Sequence, residues 1–261
     1  MKRTLMQEIP VGIPEEFGEL IRDARIYDSS CSPEARVMMI DRDEGFFLKN
    51  APKGSLFREA ELTAFFHAKR LAPEVIAYRS DERDWLLTRR ARGEDATHAS
   101  YLSDPKRLCD LLAERLRALH ETDPTGCPVT DRVSTYCATA KEGYRMGRAD
   151  LSYLRSYQPD ATVESAWRIA EEHHDTLKNE VLLHGDYCLP NVMLDSWRFS
   201  AFIDLGNGGV GDRHIDLYWG VWTLAFNLGT DAYGDRFLDA YGRDMVETEK
   251  LRAVAAFEVF G

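Results

Sequence analysis

The stretch Val181-Leu182-Leu183-His184-Gly185-Asp186-Tyr187-Cys188-Leu189-Pro190-Asn191, followed by Phe202-Ile203-Asp204-Leu205-Gly206, decides the reading of this chain. Val181 to Leu183 predict a short buried strand, after which come an aspartate, an asparagine five residues later, and a second aspartate closing another apolar run. Asp195-Ser196-Trp197 lies between the two halves as a hairpin signal. Three oxygen-bearing side chains are therefore expected to converge on one place.

That set suits phosphoryl transfer from ATP, which needs a carboxylate to receive the proton of an acceptor hydroxyl. It also needs an amide and a carboxylate oxygen to hold magnesium on the phosphates. Asp186, Asn191 and Asp204 fit those three roles in that order. The spacing resembles the kinase catalytic loop H-R-D-x-x-x-x-N with its later D-F-G, with Gly185 in place of arginine and Asp204-Leu205-Gly206 as the tail. The H-G-D variant is similar to the aminoglycoside phosphotransferase branch of the kinase-like fold. A second match is Leu119-His120-Glu121-Thr122-Asp123-Pro124 through Cys127-Pro128, similar to the L-H-x-x-D-P…C-P segment of aminoglycoside 3'-phosphotransferases. The resemblance runs from Asp28 to the ending Ala256-Phe257-Glu258-Val259-Phe260.

The resemblance implies an α+β, two-lobed, protein-kinase-like fold. Residues 1–92 would form a nucleotide-binding lobe with a five-stranded antiparallel sheet and a helix, residues 89–93 a hinge, and residues 93–261 a mainly helical catalytic and substrate-binding lobe. ATP and Mg²⁺ are the implied cofactors. The implied reaction moves the γ-phosphate to a hydroxyl of a kanamycin-like aminoglycoside, of the 3' type, which would confer antibiotic resistance.

Composition narrows the partners. A net charge of −11 over 261 residues disfavours nucleic acid, whose phosphates demand basic patches, and suits a small polycationic substrate as well as plain solubility. No apolar run approaches the roughly 20 residues of a membrane span, and the opening MKRTLMQEIP is too short in apolar residues for a signal peptide. A cytoplasmic protein, monomeric or weakly dimeric, is expected. Five cysteines without a C-x-x-C argue for reduced thiols, with Cys188 a small packed residue.

Phe46-Phe47-Leu48-Lys49 alternates as a strand, placing Phe47 and Lys49 on one face, read as the inward one. A buried lysine is costly unless it meets an anion, which ATP phosphates and a helix carboxylate would supply. Glu59 shares a helix face with Leu62 and Phe66, and the resemblance favours it over Glu61 as the partner of Lys49. Phe47 would lie against adenine or simply pack. The serine-rich turn holding Ser29, Ser30 and Ser32 could fold its N–H groups over the phosphates, though without glycine it also reads as a plain hairpin loop. By resemblance, the Arg89 carbonyl and the Ala91 N–H would read the edge of adenine. Arg89, Arg90 and Arg92 have no interleaved aromatics and read as a solvated linker face.

For the acceptor, the resemblance points to Glu142 and Asp150 on inserted helices near 132–147 and 162–178. It also points to Glu258, two residues before Phe260. Aligning on Leu228-Gly229 puts Phe226 and Asn227 where the family carries an acidic pair. His120 reads as a helix-terminal histidine satisfied by backbone. Two other readings stay open: a small-molecule kinase acting on a different amino-alcohol or sugar, and a nucleotide-binding module without turnover. Lys49, Asp186, Asn191 and Asp204 oppose the second.

Overall fold

Alternating apolar residues build the first layer. In a computed structural model, which describes residues 4–8, 12–31 and 35–261, six of the described strands pair into an antiparallel sheet. They are β1 (Thr4–Leu5), β2 (Arg25–Asp28), β3 (Arg36–Asp41), β4 (Phe46–Pro52), β5 (Val75–Ser80) and β6 (Arg83–Arg89), in the order β1-β2-β3-β4-β6-β5. The expected sheet had five strands. β1 is the addition, paired through Thr4↔Asp28 and Leu5↔Tyr27, and two residues are too few to show a period.

Phe46 and Leu48 of β4 enter a core with Phe17, Ile26, Met38, Ile40, Trp85 and Leu87. Phe47 and Lys49 share the other face, as the alternation predicts, and are partly buried there. On that second face Ala51 and Leu86 pack with Leu56 and with Ala60 of helix α2 (Phe57–Ala68), which follows a short α1 (Gly18–Ile21).

After β7 (Glu94–Asp95) come α3 (Ala99–Leu102), α4 (Pro105–His120), α5 (Arg132–Arg145) and α6 (Val163–Glu172). β8 (Val181–Leu183), β9 (Val192–Asp195), β10 (Arg198–Phe202) and β11 (Gly209–Gly211) follow, then α7 (Arg213–Leu228), α8 (Gly234–Gly242) and α9 (Thr248–Glu258). Asp104 caps α4 by accepting from the Arg107 N–H, and Leu108, Leu112, Leu116 and Leu119 are buried along one stripe. Each such leucine contributes roughly 1.5–3 kcal/mol relative to an exposed one. α6 stops at Glu172, short of the expected 178, where His173, His174, Asp175 and Thr176 are all weak helix formers. α7 begins at Arg213, where Asp212 caps it through the His214 N–H.

Two compact units result: Met1–His98 with Pro190–Gly206, and Ala99–Leu189 with Asn207–Gly261. The boundary is therefore not the single cut expected near residue 92. β7 pairs with β9 through Glu94↔Leu194 and Asp95↔Met193, which ties the β9–β10 hairpin to the first unit. Gly93 makes the crossing possible: at φ +82° its position has a Leu194 carbonyl oxygen 2.0 Å from where a Cβ would stand.

Candidate active site

In the first unit, Lys49 Nζ donates to Glu59 Oε2 at 2.7 Å and to Asp204 Oδ1 at 2.8 Å. The pairing of Lys49 with Glu59 rather than Glu61 follows from the helix period, since Glu61 lies exposed. Burial alone would lower the lysine's pKa, but attraction to Glu59 and then Asp204 outweighs it and holds the ammonium above its ordinary range. Glu59 is raised, by burial first and by repulsion from Asp204, against the pull of Lys49. Two carboxylates thus share one ammonium.

The β9–β10 register, with Phe202↔Val192, continues past both strand ends: the Ile203 N–H donates to the Asn191 carbonyl at 3.0 Å. Asn191 and Asp204 consequently lie at the same open end of the hairpin. Asp204 holds a left-handed backbone (φ +60°), unusual away from glycine, and its side chain is 52% exposed. Strain at a residue that also presents its carboxylate to solvent is common where backbone geometry serves a ligand. Asn191, by contrast, is buried.

The Arg89 backbone pairs with Phe46, and the Arg90 N–H donates to the Gly45 carbonyl. Ala91 packs with Met193, Ala201 and Ile203, while the Arg89 guanidinium pairs with Glu74 at 2.7 Å. In the serine turn, the Ser30 N–H donates to Asp28 Oδ1 and the Ser30 hydroxyl accepts from the Val37 N–H, each at 2.9 Å. Both groups thus close their own hairpin. The Ser29 N–H likewise donates to the Val37 carbonyl. Ser32 lies outside the described residues.

In the second unit, Asp186 follows β8 on a loop held from beneath by a residue that pattern reading passed over. Asp216, fully buried in α7, accepts from the His184 N–H and the Gly185 N–H, both at 2.7 Å. Its Oδ2 also meets His120 Nε2 at 3.3 Å, and His120 Nδ1 meets the Tyr241 hydroxyl at 2.8 Å. His120 is therefore satisfied by side chains rather than by backbone, which corrects the sequence expectation. Burial pulls its pKa down, against the attraction of Asp216.

Gly185 cannot be another residue without movement. It sits at φ +81°, and a Cβ there would come within 1.8 Å of the Asn207 carbonyl oxygen. Thr223, also buried in α7, accepts from the Leu189 N–H at 3.0 Å and pins the far side of the loop. Cys188 is buried as expected, and burial followed by the charge of Asp186 pushes its thiol far above the ordinary range.

Glu258 ends α9, partly buried, and its Oε1 accepts from the Tyr136 hydroxyl at 2.9 Å and Trp219 Nε1 at 3.0 Å. Burial, with the Asp186 charge adding to it, lifts its pKa to about 7 despite both hydrogen bonds. Asp150 is exposed, and the Ser152 N–H donates to its carboxylate. Glu142 is exposed on α5. Of the three acids expected at the acceptor, Glu258 alone is partly buried, enough to raise its pKa.

A model of the phosphotransferase enzyme family matches residues 31–254. The chain belongs to that family. This phosphotransferase is 47% identical over 262 residues to a probable aminoglycoside 3'-phosphotransferase of Lactococcus lactis subsp. lactis (strain IL1403), covering 99% of this chain and 100% of the relative. A crystal structure of an aminoglycoside-3'-phosphotransferase of type VIII matches with a TM-score of 0.70 at 26% identity, covering 90% of this chain and 91% of that one. An aminoglycoside phosphotransferase of Streptomyces rimosus ATCC10970, solved with ADP and streptomycin, shares the fold with a TM-score of 0.69 at 23% identity. It covers 87% of this chain and 91% of its own. The kinase-like α+β fold expected for the phosphotransferase is thereby established, and with it that the chain is an enzyme.

Asp216 and Thr223, which hold the Asp186 loop, and the Glu258 donors Tyr136 and Trp219 are partners of the candidate residues that sequence reading missed. Asp216 alone left a signal, a carboxylate in the first turn of a helix whose neighbours Ile215, Leu217 and Tyr218 are apolar.

Proposed function

We propose that this enzyme is an ATP-dependent O-phosphotransferase that modifies a hydroxyl of a kanamycin-like aminoglycoside, at the 3' position, and so confers resistance. The observation that carries the nucleotide half is the Lys49–Glu59–Asp204 triad, a cation braced by carboxylates on a half-open sheet face. Lys49 would turn its ammonium to the α- and β-phosphates, with Glu59 keeping it charged and aimed. Phe47, on the same face, would lie against adenine, with the Arg89 carbonyl and Ala91 N–H reading its edge. The Ser29–Ser30 turn is a weaker candidate, since the phosphates would have to displace Asp28 from the Ser30 N–H.

The donor set at the hairpin end fits magnesium. It offers hard oxygen donors, a carboxylate half exposed to solvent beside an asparagine, and the triad carries one more negative than positive charge. Asn191 and Asp204 would hold the ion, which when bound neutralises charge on the β- and γ-phosphates. Asp186 would accept the proton of the acceptor hydroxyl. It lies five positions before Asn191 in the chain.

For the acceptor half, support comes from the names of the relatives and from Glu258, whose carboxylate would meet an ammonium group. Glu142 and Asp150 could add longer-range attraction. Among the described residues no helix is long and apolar enough to cross a membrane, which agrees with a cytoplasmic setting where ATP is abundant.

The test is ADP release by the purified protein with MgATP and a panel of acceptors. Kanamycin should support saturable turnover and a 3'-deoxy aminoglycoside should not. Turnover with choline-like amino-alcohols but none with kanamycin would replace this reading with that of another small-molecule kinase. Phe226 and Asn227, where the family has acids, are the feature that favours that second reading.

A further inference from the structure

An aromatic face runs along α7. Trp219 and Trp222 meet edge to face with ring centroids 5.3 Å apart, and Trp222 and Phe226 stack at 4.9 Å with 11° between planes. Tyr153, from the single-turn helix Leu151–Leu154, closes on the two tryptophans at 5.8 and 6.0 Å. Spacings of three and four residues keep the three α7 rings on one side of the helix.

This is not a core. Phe226 is 70% exposed, and Tyr153, Trp219 and Trp222 are only partly buried. A stacked pair one helical turn apart adds roughly 0.2–0.5 kcal/mol to a helix, too little to account for a phenylalanine left 70% exposed beside three partly buried rings. The inner end of the face joins the candidate active site: Trp219 Nε1 donates to Glu258, whose carboxylate feels the charge of Asp186. The Tyr153 ring, 5.8 Å from that of Trp219, lies at the same end of the face. Asn227, the other residue standing where the family has an acid, spends its amide on the Thr223 carbonyl and hydroxyl at 2.8 and 3.1 Å.

We propose that the aromatic face of Trp222 and Phe226 is the subsite for the distal ring of the acceptor, a cationic ring polyol. The apolar C–H face of that ring stacks on the aromatic side chains and an ammonium group lies over a π-face. Charge is thereby concentrated at the Glu258 end, and the outer end binds by stacking, which salt screens far less than an exposed ion pair. The inference rests on the aminoglycoside reading above.

The experiment is steady-state kinetics of Phe226→Ala and Trp222→Ala with a three-ring aminoglycoside and a two-ring fragment lacking the distal sugar. Phe226 is exposed, so its truncation leaves folding intact. Both variants should raise KM about three- to tenfold for the three-ring acceptor, by less than about twofold for the fragment, and not at all for ATP. If the unmutated enzyme turns over both acceptors and Phe226→Ala changes neither KM, or changes both alike, the subsite is refuted while the proposed function stands. If no aminoglycoside is turned over, the proposed function fails and the subsite falls with it.

Discussion

Replacing Glu258 with glutamine should free the fold from a loss of stability at rising pH. Both hydrogen bonds to Glu258, from the Tyr136 hydroxyl and Trp219 Nε1, end on Oε1. A glutamine amide oxygen can accept both, so the substitution removes the charge and keeps the contacts. Burial, then the charge of Asp186, carries the folded-state pKa from 4.5 up to about 7. A carboxylate raised in this way keeps a proton when folded that the unfolded chain has already released. Its stabilising effect is therefore complete below about pH 4.5 and is lost as the pH climbs through about 7. At about 1.4 kcal/mol per pH unit, the gap sets an upper bound of about 3 kcal/mol. The partial exposure of the side chain reduces it to about 2 kcal/mol. Urea unfolding of both proteins at about pH 5 and about pH 8 provides the measure: the variant should gain about 2 kcal/mol over the parent between the two conditions. A stability difference that is the same at both pH values would show that Glu258 ionises as an ordinary carboxylate, and the reasoning from burial would be wrong.

Asp186→Asn should lower kcat by about 10²–10⁴-fold with an unchanged KM for ATP, because only the proton acceptor is lost; turnover like that of the parent would remove Asp186 from the mechanism. Asp204→Ala should abolish activity more completely than Asn191→Ala at saturating magnesium, since an anionic oxygen ligand is lost rather than a neutral one, and the opposite order would reverse the assignment of the ligands. Gly185→Ala should destabilise the loop by more than about 1–2 kcal/mol, combining a left-handed backbone with a carbonyl oxygen 1.8 Å from the new Cβ; an unfolding midpoint equal to that of the parent would mean the loop relaxes freely.

Much of the arrangement around Lys49 was legible in the chain itself. The alternation in β4 put Phe47 and Lys49 together, the helical period put Glu59 on the face of Leu62 and Phe66, and a hairpin signal brought Asp204 back beside Asn191. These relations are local or nearly so, and a period of 2 or 3.6 residues survives in any sequence that forms the element. Which face of β4 lay over the core did not follow from that period. Both faces of this strand are apolar near Phe46 and Phe47, and the N-terminal segment carrying Phe17 decided between them.

The support beneath the Asp186 loop was decided by tertiary structure alone. Asp216 reaches back more than thirty positions to the His184 and Gly185 N–H groups, and His120 finds Tyr241 across 121 positions. A carboxylate in the first turn of a helix looks the same in sequence whether it stabilises the dipole or fastens a distant loop. The same holds for the aromatic face and for Glu258. Trp219, Trp222 and Phe226 have the spacing of ordinary core residues, and it is the packing of Tyr153 and α9 around them that leaves the rings half open and lifts the glutamate's pKa to about 7. Sequence determines what each element can bury. Which surfaces stay uncovered, and so what they can bind, depends on contacts between residues far apart in the chain, and those leave no periodic trace.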